Sequence, residues 1–257
     1  MAERDGYDPG TPSWVDLTTP DLEDALRFYG GVFGWEFEDA GADAGHYHQA
    51  LVRGRRVAGL GPAQAGSPQA AYWTTYLSGT DVDAHAAAIA DAGGTVMFGP
   101  LEVTGQGRML IAVDPEGARF GIWEPQAHTG AQLVNENGAL TFSQLASRNL
   151  DGAARFLGSV FPYTFEALPG MPFDAYRAFA VGERVVGGMI AMPADVPAEA
   201  PPHWLTYFWL DDVDAGARRV RELGGEVVRG PEDSASVRSA TLRDPQGGLF
   251  AVIRGVN

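Results

Sequence analysis

Hydrophobic and polar positions at the start of the chain alternate and then change to a helical period. The segment SWVDLT (Ser13–Thr18) alternates between apolar and polar residues, as a strand with one buried face does. Asp21 is a suitable N-cap, and the apolar positions after it predict a helix over Leu22–Gly30. Alternation returns in three predicted strands near Trp35–Glu38, Tyr47–Val52 and Val57–Leu60. This pattern predicts a βαβββ unit.

The same order of elements follows directly after this unit. A strand is predicted over Tyr72–Leu77, and a helix over Asp81–Ala92 ends at the pair Gly93–Gly94. Three short strands complete the second unit, near Thr95–Met97, Arg108–Val113 and Phe120–Glu124. The first half of the chain therefore contains two consecutive βαβββ units.

The second half of the chain repeats the first. WVDLTTPDLEDALRFYGGVFGW from Trp14 aligns with FSQLASRNLDGAARFLGSVFPY from Phe142 at an offset of 128 residues. The turn DPEG at Asp114 recurs as DPQG at Asp244. A period of this length fits a duplicated domain and is too long for a solenoid repeat. We expect domains at residues 10–126 and 139–257, joined by a polar, Gly-rich linker at residues 127–138.

Four βαβββ units with W-x-D-L, F-Y, F-G-W, G-G…G-P and D-P-x-G resemble the vicinal oxygen chelate superfamily of glyoxalases, bleomycin-resistance proteins and extradiol dioxygenases. The tandem form, with GAQLVNENGAL at the join, is similar to the two-domain type found in actinobacteria. The resemblance implies an α+β fold with two tandem glyoxalase-like domains. Each domain would consist of two βαβββ modules that form a curved mixed-sheet cup, with the ligand or metal inside it.

The resemblance also locates the positions that hold a metal in other members. These positions are Trp14, Thr74, Gly121 and Ala58 or Gly59 in the first copy, and Phe142, Leu205, Ala251 and Gly187 or Gly188 in the second. Divalent metals need several converging imidazole, carboxylate or carbonyl ligands, so we expect no metal and no other cofactor in the usual place. His46 and His48 form a possible half-site on one strand face, but we favour a pair of polar residues on an edge strand.

Charge and composition restrict the partners. The 257 residues carry a net charge of −15, and they include no cysteine. Such a field repels phosphate backbones and anionic lipids, so we expect neither nucleic acid nor a membrane as a partner. The absence of cysteine rules out disulfides and thiolate metal sites. The N-terminus lacks the apolar region of a secretory signal, and we expect a cytoplasmic protein.

Strand alternation assigns the two faces of each sheet. One face is apolar and should pack under helices: Val15, Leu17, Phe120, Ile122, Phe208, Leu210, Phe250 and Val252. The other face lines the cup and is aromatic with a few polar groups. The predicted ligand-binding residues on it are Trp14, Asp16, Tyr76, Trp123, Phe142, Gln144, His203, Tyr207 and Trp209.

An aromatic cup with small residues at its base predicts a metal-independent binding protein for a small, planar, hydrophobic aromatic molecule. By resemblance, an antibiotic or polyketide metabolite is a candidate, for sequestration, self-resistance or as an accessory to a biosynthetic oxygenase that would be a partner. The alternative is a metal-free isomerase, lyase or hydroxylase-type enzyme with Asp16 as its catalytic base. A third interpretation is that the aromatic residues simply fill the cup. A monomer or a homodimer would satisfy the pairing of modules.

Overall fold

A computed structural model describes residues 3–64, 66, 69–168, 170–194, 196–234 and 236–255. The elements of the first half are β1 (Pro12–Thr19), α1 (Leu22–Phe33), β2 (Glu36–Asp39), β3 (His48–Val52), β4 (Arg55–Pro62), β5 (Tyr72–Ser78), α2 (Val82–Asp91), β6 (Thr95–Val103), β7 (Gly107–Val113) and β8 (Arg119–Pro125). Those of the second half are β9 (Leu140–Ser147), α3 (Leu150–Val160), β10 (Tyr163–Glu166), β11 (Tyr176–Val181), β12 (Arg184–Ala191), β13 (His203–Trp209), α4 (Val213–Glu222), β14 (Glu226–Ser234), β15 (Val237–Arg243) and β16 (Leu249–Gly255).

Each half forms one eight-stranded mixed sheet. The strand orders are β2-β3-β4-β1-β5-β8-β7-β6 and β10-β11-β12-β9-β13-β16-β15-β14. In the first sheet, β1 lies parallel to β4 and antiparallel to β5, and this contact joins the two βαβββ modules. The predicted α+β class, with a duplicated domain of two such modules, is confirmed.

The helices begin where their caps predict. Asp21 accepts a hydrogen bond from the backbone N–H of Asp24 at 3.0 Å, which satisfies one of the free donors of the first turn of α1. The helix then continues to Phe33, three residues beyond the predicted end. In the described part of the chain, no helix has both the length and the apolar character needed to cross a membrane.

Strand β6 differs most from its predicted bounds. The sequence pattern predicts an end near Met97. It continues instead to Val103, paired with β7, and the irregularity in the pairing between Phe98 and Leu101 accommodates the Gly-Pro pair. This extension gives the first sheet a longer outer edge.

The two domains share their hydrophobic cores. Helix α1 of the first domain packs against the second sheet, where the rings of Phe28 and Phe250 meet edge to face at 6.2 Å. The Tyr29 hydroxyl donates to Asp244 of the second domain at 2.9 Å and accepts from the Trp73 indole N–H at 2.9 Å. All the residues predicted to pack under helices are buried in these cores. The helix-covered faces of the two sheets therefore meet, and the cup faces are turned away from the shared core.

The repeated D-P-x-G phrase forms a turn before the last strand of each sheet. The Asp114 carboxylate accepts the backbone N–H groups of Glu116 and Ala118 at 2.9 and 2.8 Å. Asp244 accepts those of Gln246 and Gly248 at 2.9 and 2.7 Å. Both carboxylates thus stabilise the turn that follows them, and this shared structural role explains why the D-P-x-G phrase occurs in each domain.

Candidate ligand-binding cups

A continuous row of residues crosses the first cup. Trp14 on β1 pairs with Tyr76 on β5, Tyr76 with Gly121 on β8, Gly121 with Ile111 on β7, and Ile111 with Phe98 on β6. Directly paired residues on neighbouring strands point to the same face of a sheet. The row therefore runs across the cup from its centre to its outer edge.

Asp16 lies next to this row and belongs to a polar network beneath aromatic rings. The Tyr76 hydroxyl donates to Asp16 Oδ2 at 3.0 Å, and the Trp14 indole N–H donates to the Tyr47 hydroxyl at 2.9 Å. Burial raises the pKa of Asp16 to about 7, although the Tyr76 hydrogen bond and the positive charge of Arg119 act in the opposite direction. Asp16 still keeps part of its surface exposed to solvent. Near neutral pH this carboxyl is present in both protonation states.

Tyrosine rings cover several of the positions that the resemblance assigns to metal ligands. The register places Gly59 beside Asp16 and Gly188 beside Gln144, so these two glycines face the cups. A Cβ atom at Gly59 would overlap the Tyr47 ring, and one at Gly121 would overlap the Tyr76 ring. The ring of Tyr176 lies over Gly188 in the same way.

These side chains do not fit a metal ion. Glycine offers no side-chain ligand, and the rings occupy the space that a ligating side chain would need. Among the residues that the structure describes, no group of three or more His, Asp or Glu side chains could hold a metal. His46 lies outside β3 with φ 58° and contacts Asp39 at 3.0 Å, so the expectation that it shares a strand face with His48 is wrong.

The linker closes the inner end of the first cup. His128 is 8% exposed, and its ring lies 4.4 Å from that of Trp14 and 5.4 Å from that of Trp123. Burial and the positive charge of Arg56 lower the pKa of His128 to about 4. The Trp123 indole N–H donates to the His128 carbonyl at 2.7 Å. Residues 127–138 therefore form part of the cup wall.

This packing determines which predicted residues are accessible in the first cup. Trp14, Tyr76 and Trp123 are 3%, 5% and 6% exposed, because they pack against the linker and against Ile111. They form a solid floor at the inner end of the cup. Asp16 stays partly exposed beside that floor. The interpretation that some aromatic residues fill the cup thus applies to its inner end.

The second cup contains a matching network with Gln144 in place of Asp16. The Tyr207 hydroxyl donates to Gln144 Oε1 at 2.9 Å, and Gln144 also shares a hydrogen bond with Tyr176. The rings of Phe142 and Tyr207 meet edge to face at 5.9 Å. Phe142, Gln144 and Tyr207 are all partly exposed. The structure therefore brings these three predicted residues together.

His203 and Trp209 lie at opposite ends of β13. His203 pairs with Ala146, which places it on the cup face, and its Nδ1 atom lies 3.1 Å from the Pro201 carbonyl oxygen. Trp209 donates its indole N–H to Asp211 at 2.8 Å. Both residues are partly exposed, so they border the cup and the central network lies between them.

Sequence reasoning missed Tyr47, Tyr176 and the outer-edge residue Phe98. A signal for the two tyrosines was present, since each occurs twelve residues before a cup-facing glycine, Gly59 or Gly188. Phe98 was missed because its strand was predicted to end one residue earlier.

Comparison with known proteins agrees with this fold. The profile of the glyoxalase/bleomycin resistance protein/dioxygenase superfamily matches residues 11–122, and that of the glyoxalase-like domain matches residues 143–253. The chain therefore belongs to this superfamily, with two of its domains in tandem. Within it, the chain is similar to the protein CFP32 of Mycobacterium tuberculosis, with 38% identity over 99% of this chain and 98% of CFP32. It is also 34% identical to the anthracycline biosynthesis protein DnrV of Streptomyces peucetius, over 96% of this chain and 94% of DnrV.

Solved structures of the superfamily share the fold at low sequence identity. The Mn(II)-bound glyoxalase from Novosphingobium aromaticivorans has a TM-score of 0.64 and 18% identity, covering 100% of this chain and 85% of its own. The 2,3-dioxygenase LapB from Pseudomonas sp. KL28 has a TM-score of 0.66 and 14% identity, covering 97% and 94%. These likenesses support the tandem cup architecture.

Proposed function

We propose that the protein is a metal-independent binding protein for a small planar aromatic molecule. The observation that carries this proposal is an aromatic and polar network at positions that the resemblance assigns to metal ligands. Tyrosine rings lie over Gly59 and Gly121, and a carboxyl with a pKa of about 7 stands beside them at Asp16. Tyr47 and Asp16 are both partly exposed and offer a flat apolar contact beside one oriented polar group, the usual composition of a small-molecule site.

Two further observations concern the polar groups and the charge of the ligand. Gln49 pairs with Gly59 and so faces the first cup, and its Oε1 atom is buried without a hydrogen-bond partner. Buried acceptors are almost always satisfied, so this oxygen suits a ligand hydroxyl or ammonium group. The net charge of −15 favours a neutral or cationic ligand over an anionic one.

The relatives indicate a chemical class. DnrV and DauV, both named as anthracycline biosynthesis proteins, are 34% and 32% identical to this chain. A fused-ring phenolic metabolite or antibiotic therefore fits both the relatives and the cup. The protein would sequester such a compound, confer resistance to it, or present it to a biosynthetic oxygenase.

The test is a titration with quinizarin (1,4-dihydroxyanthraquinone), a neutral three-ring phenol whose visible absorbance reports its surroundings. We expect saturable binding by EDTA-treated protein and recovery of the dye with unchanged mass. Asp16→Asn should weaken this binding, whereas Asp91→Asn, at an exposed carboxyl on α2, should leave it unchanged. Binding that is lost after EDTA and restored by Mn(II) would contradict the proposal.

The alternative function is a metal-free enzyme that uses Asp16 as its general base, and the raised pKa of Asp16 favours this choice of base. A carboxyl with a pKa of about 7 is a suitable general base at neutral pH, because it is partly ionised yet basic enough to accept a proton. In that case Asp16 would take a proton from a C–H or O–H group of the ligand. A changed mass or a new isomer after incubation, absent with Asp16→Asn while binding is retained, would establish this function.

A further inference from the structure

We infer that Arg119, stacked on Tyr72 in the first cup, binds a carbonyl oxygen of the ligand, and that the ligand is a fused-ring hydroxyketone or hydroxyquinone. The inference rests on the proposed function and names the class of compound that the first cup takes. Three features carry it: the guanidinium lies inside the cup, it has no anionic partner among the described residues, and the second cup has leucine in its place.

The side chain of Arg119 faces the first cup. Arg119 lies two residues before Gly121 on β8, and strand alternation puts both positions on the same face of the sheet. Gly121 pairs with the cup residue Tyr76. The guanidinium carbon of Arg119 lies 4.7 Å from the centre of the Tyr72 ring, which projects from the same face of β5 as Tyr76. This cation–π contact holds the guanidinium over the cup face.

Arg119 and Asp16 share an open surface. Thr18 follows Asp16 on the cup face of β1, and it pairs directly with Tyr72 on β5. Asp16, Thr18, Tyr72 and Arg119 are each partly exposed. This run of residues leads away from Trp14, the residue on the other side of Asp16 along β1 that packs against the linker. The end of the cup beyond Asp16 is therefore the accessible one.

The guanidinium of Arg119 has donors available for a ligand. Within the part of the chain that the structure describes, it makes neither an ion pair nor a hydrogen bond, and its contact is the Tyr72 ring. Arg108 on the neighbouring strand, by contrast, forms an ion pair with Asp83 at 2.8 Å. Asp16 is too far from Arg119 for such a pair, and its carboxyl accepts the Tyr76 hydroxyl instead. A guanidinium in this state suits an oxygen acceptor of the ligand.

The second cup lacks both charged groups. Leu249 is the equivalent of Arg119, since each is the first residue of the last strand of its sheet. The registers agree, because the third residue of each of these strands pairs with the cup tyrosine of the neighbouring strand. Gln144 takes the place of Asp16. The pair of an acid and a guanidinium is therefore particular to the first cup.

The two groups specify the class of ligand. Asp16 and Arg119 lie on β1 and β8, two strand-to-strand steps apart, or about 10 Å at about 4.8 Å per step. A planar ligand between them presents a hydrogen-bonding group to Asp16 and an oxygen acceptor to Arg119. The net charge of −15 disfavours an anionic acceptor, whereas a ring ketone is neutral and lies in the plane of its rings. A hydroxyl and a ring carbonyl on one fused scaffold meet these requirements.

The test compares two probes that differ in the ring carbonyls. 2-Hydroxyanthraquinone and 2-hydroxyanthracene share three fused rings and one hydroxyl, and the first alone has carbonyl oxygens. Dissociation constants are measured by absorbance and by fluorescence for the wild type and for Arg119→Leu, which introduces the residue of the second cup. The matched control is Arg155→Leu, which makes the same change of charge at an exposed position on α3.

We expect Arg119→Leu to weaken binding of 2-hydroxyanthraquinone by about tenfold or more, because a hydrogen bond from a charged donor is lost. Binding of 2-hydroxyanthracene should stay unchanged, which also shows that the cup of the variant is intact. If leucine disturbs the fold, Arg119→Gln, which keeps an amide donor, should reduce the preference for the quinone by a smaller factor. The control should bind both probes like the wild type.

Two results would overturn the inference while leaving the proposed function intact. One is unchanged affinity of the Arg119 variants for 2-hydroxyanthraquinone. The other is an equal loss of affinity for both probes, which would assign Arg119 to the support of the Tyr72 ring. Failure of the wild-type protein to bind either probe would refute the proposed function itself.

Discussion

Replacing Asp16 by Asn should make the protein more stable above neutral pH. The carboxyl is surrounded by tyrosine and tryptophan rings, and its pKa rises from 3.8 to about 7 in the folded protein. A carboxyl with a raised pKa binds more protons in the folded than in the unfolded state between these two values. The contribution of protonated Asp16 to the free energy of unfolding is therefore fully present below about pH 4 and is lost as the pH rises through 7.

The magnitude follows from the size of the shift. About three pKa units at about 1.4 kcal/mol each give an upper limit of about 4 kcal/mol for the cost of ionising Asp16 in the fold. Partial exposure of the residue reduces this figure, so about 2–4 kcal/mol is expected. Asparagine cannot ionise, and its amide oxygen can still accept the hydrogen bond of the Tyr76 hydroxyl.

Urea denaturation of wild type and Asp16→Asn between pH 4 and 8.5 measures this effect. The difference in unfolding free energy should grow in favour of the variant from pH 4 to about pH 7 and then stay constant. Other titrating groups, including His128 and Asp244, contribute equally to both proteins and cancel in the difference. Asp91→Asn should give a difference that does not change over the same range. Parallel curves for wild type and Asp16→Asn would refute the raised pKa and, with it, a role for Asp16 as a base.

Two further predictions concern the linker and the covered metal positions. Burial lowers the pKa of His128 to about 4, so the stability that the neutral, buried ring provides is present above pH 6.5 and is lost as the pH falls toward 4. His128→Phe should remove this loss, which amounts to about 2–3 kcal/mol at pH 4, in the same denaturation series. The same loss of stability below pH 6.5 in the variant and the wild type would contradict this prediction. Gly121→Glu introduces an acid at a position that the resemblance assigns to a metal ligand. Its Cβ would overlap the Tyr76 ring, so we expect a loss of several kcal/mol in stability and no Mn(II) binding by calorimetry. Gly6→Ala, where nothing lies within 4 Å, is the control, and Mn(II) binding by a stable Gly121→Glu variant would contradict the prediction.

The elements and their faces were predictable because they depend on local periodicity. Alternation in SWVDLT assigned Val15 and Leu17 to the buried face and Asp16 to the cup, and Asp21 marked the helix start. These features follow from strand geometry and from the free donors of the first helical turn. The duplication then carried the same assignments to the second half of the chain.

The rest depended on register and on contacts distant in sequence. The Tyr47 ring lies over Gly59 only because β3 pairs with β4 in one particular register. The polar, Gly-rich composition of the linker concealed that His128 packs between two tryptophans. The contact between Tyr29 and Asp244 joins residues 215 positions apart, and no local pattern predicts it.

A crystal structure of the protein with quinizarin, grown in the presence of Mn(II), tests the central claim most directly. We expect the ring system in the first cup, with one hydroxyl within hydrogen-bonding distance of Asp16. No Mn(II) should be bound beside Gly121 or Thr74. A manganese ion coordinated within either cup, or crystals that contain no dye in either cup, would contradict the proposed function.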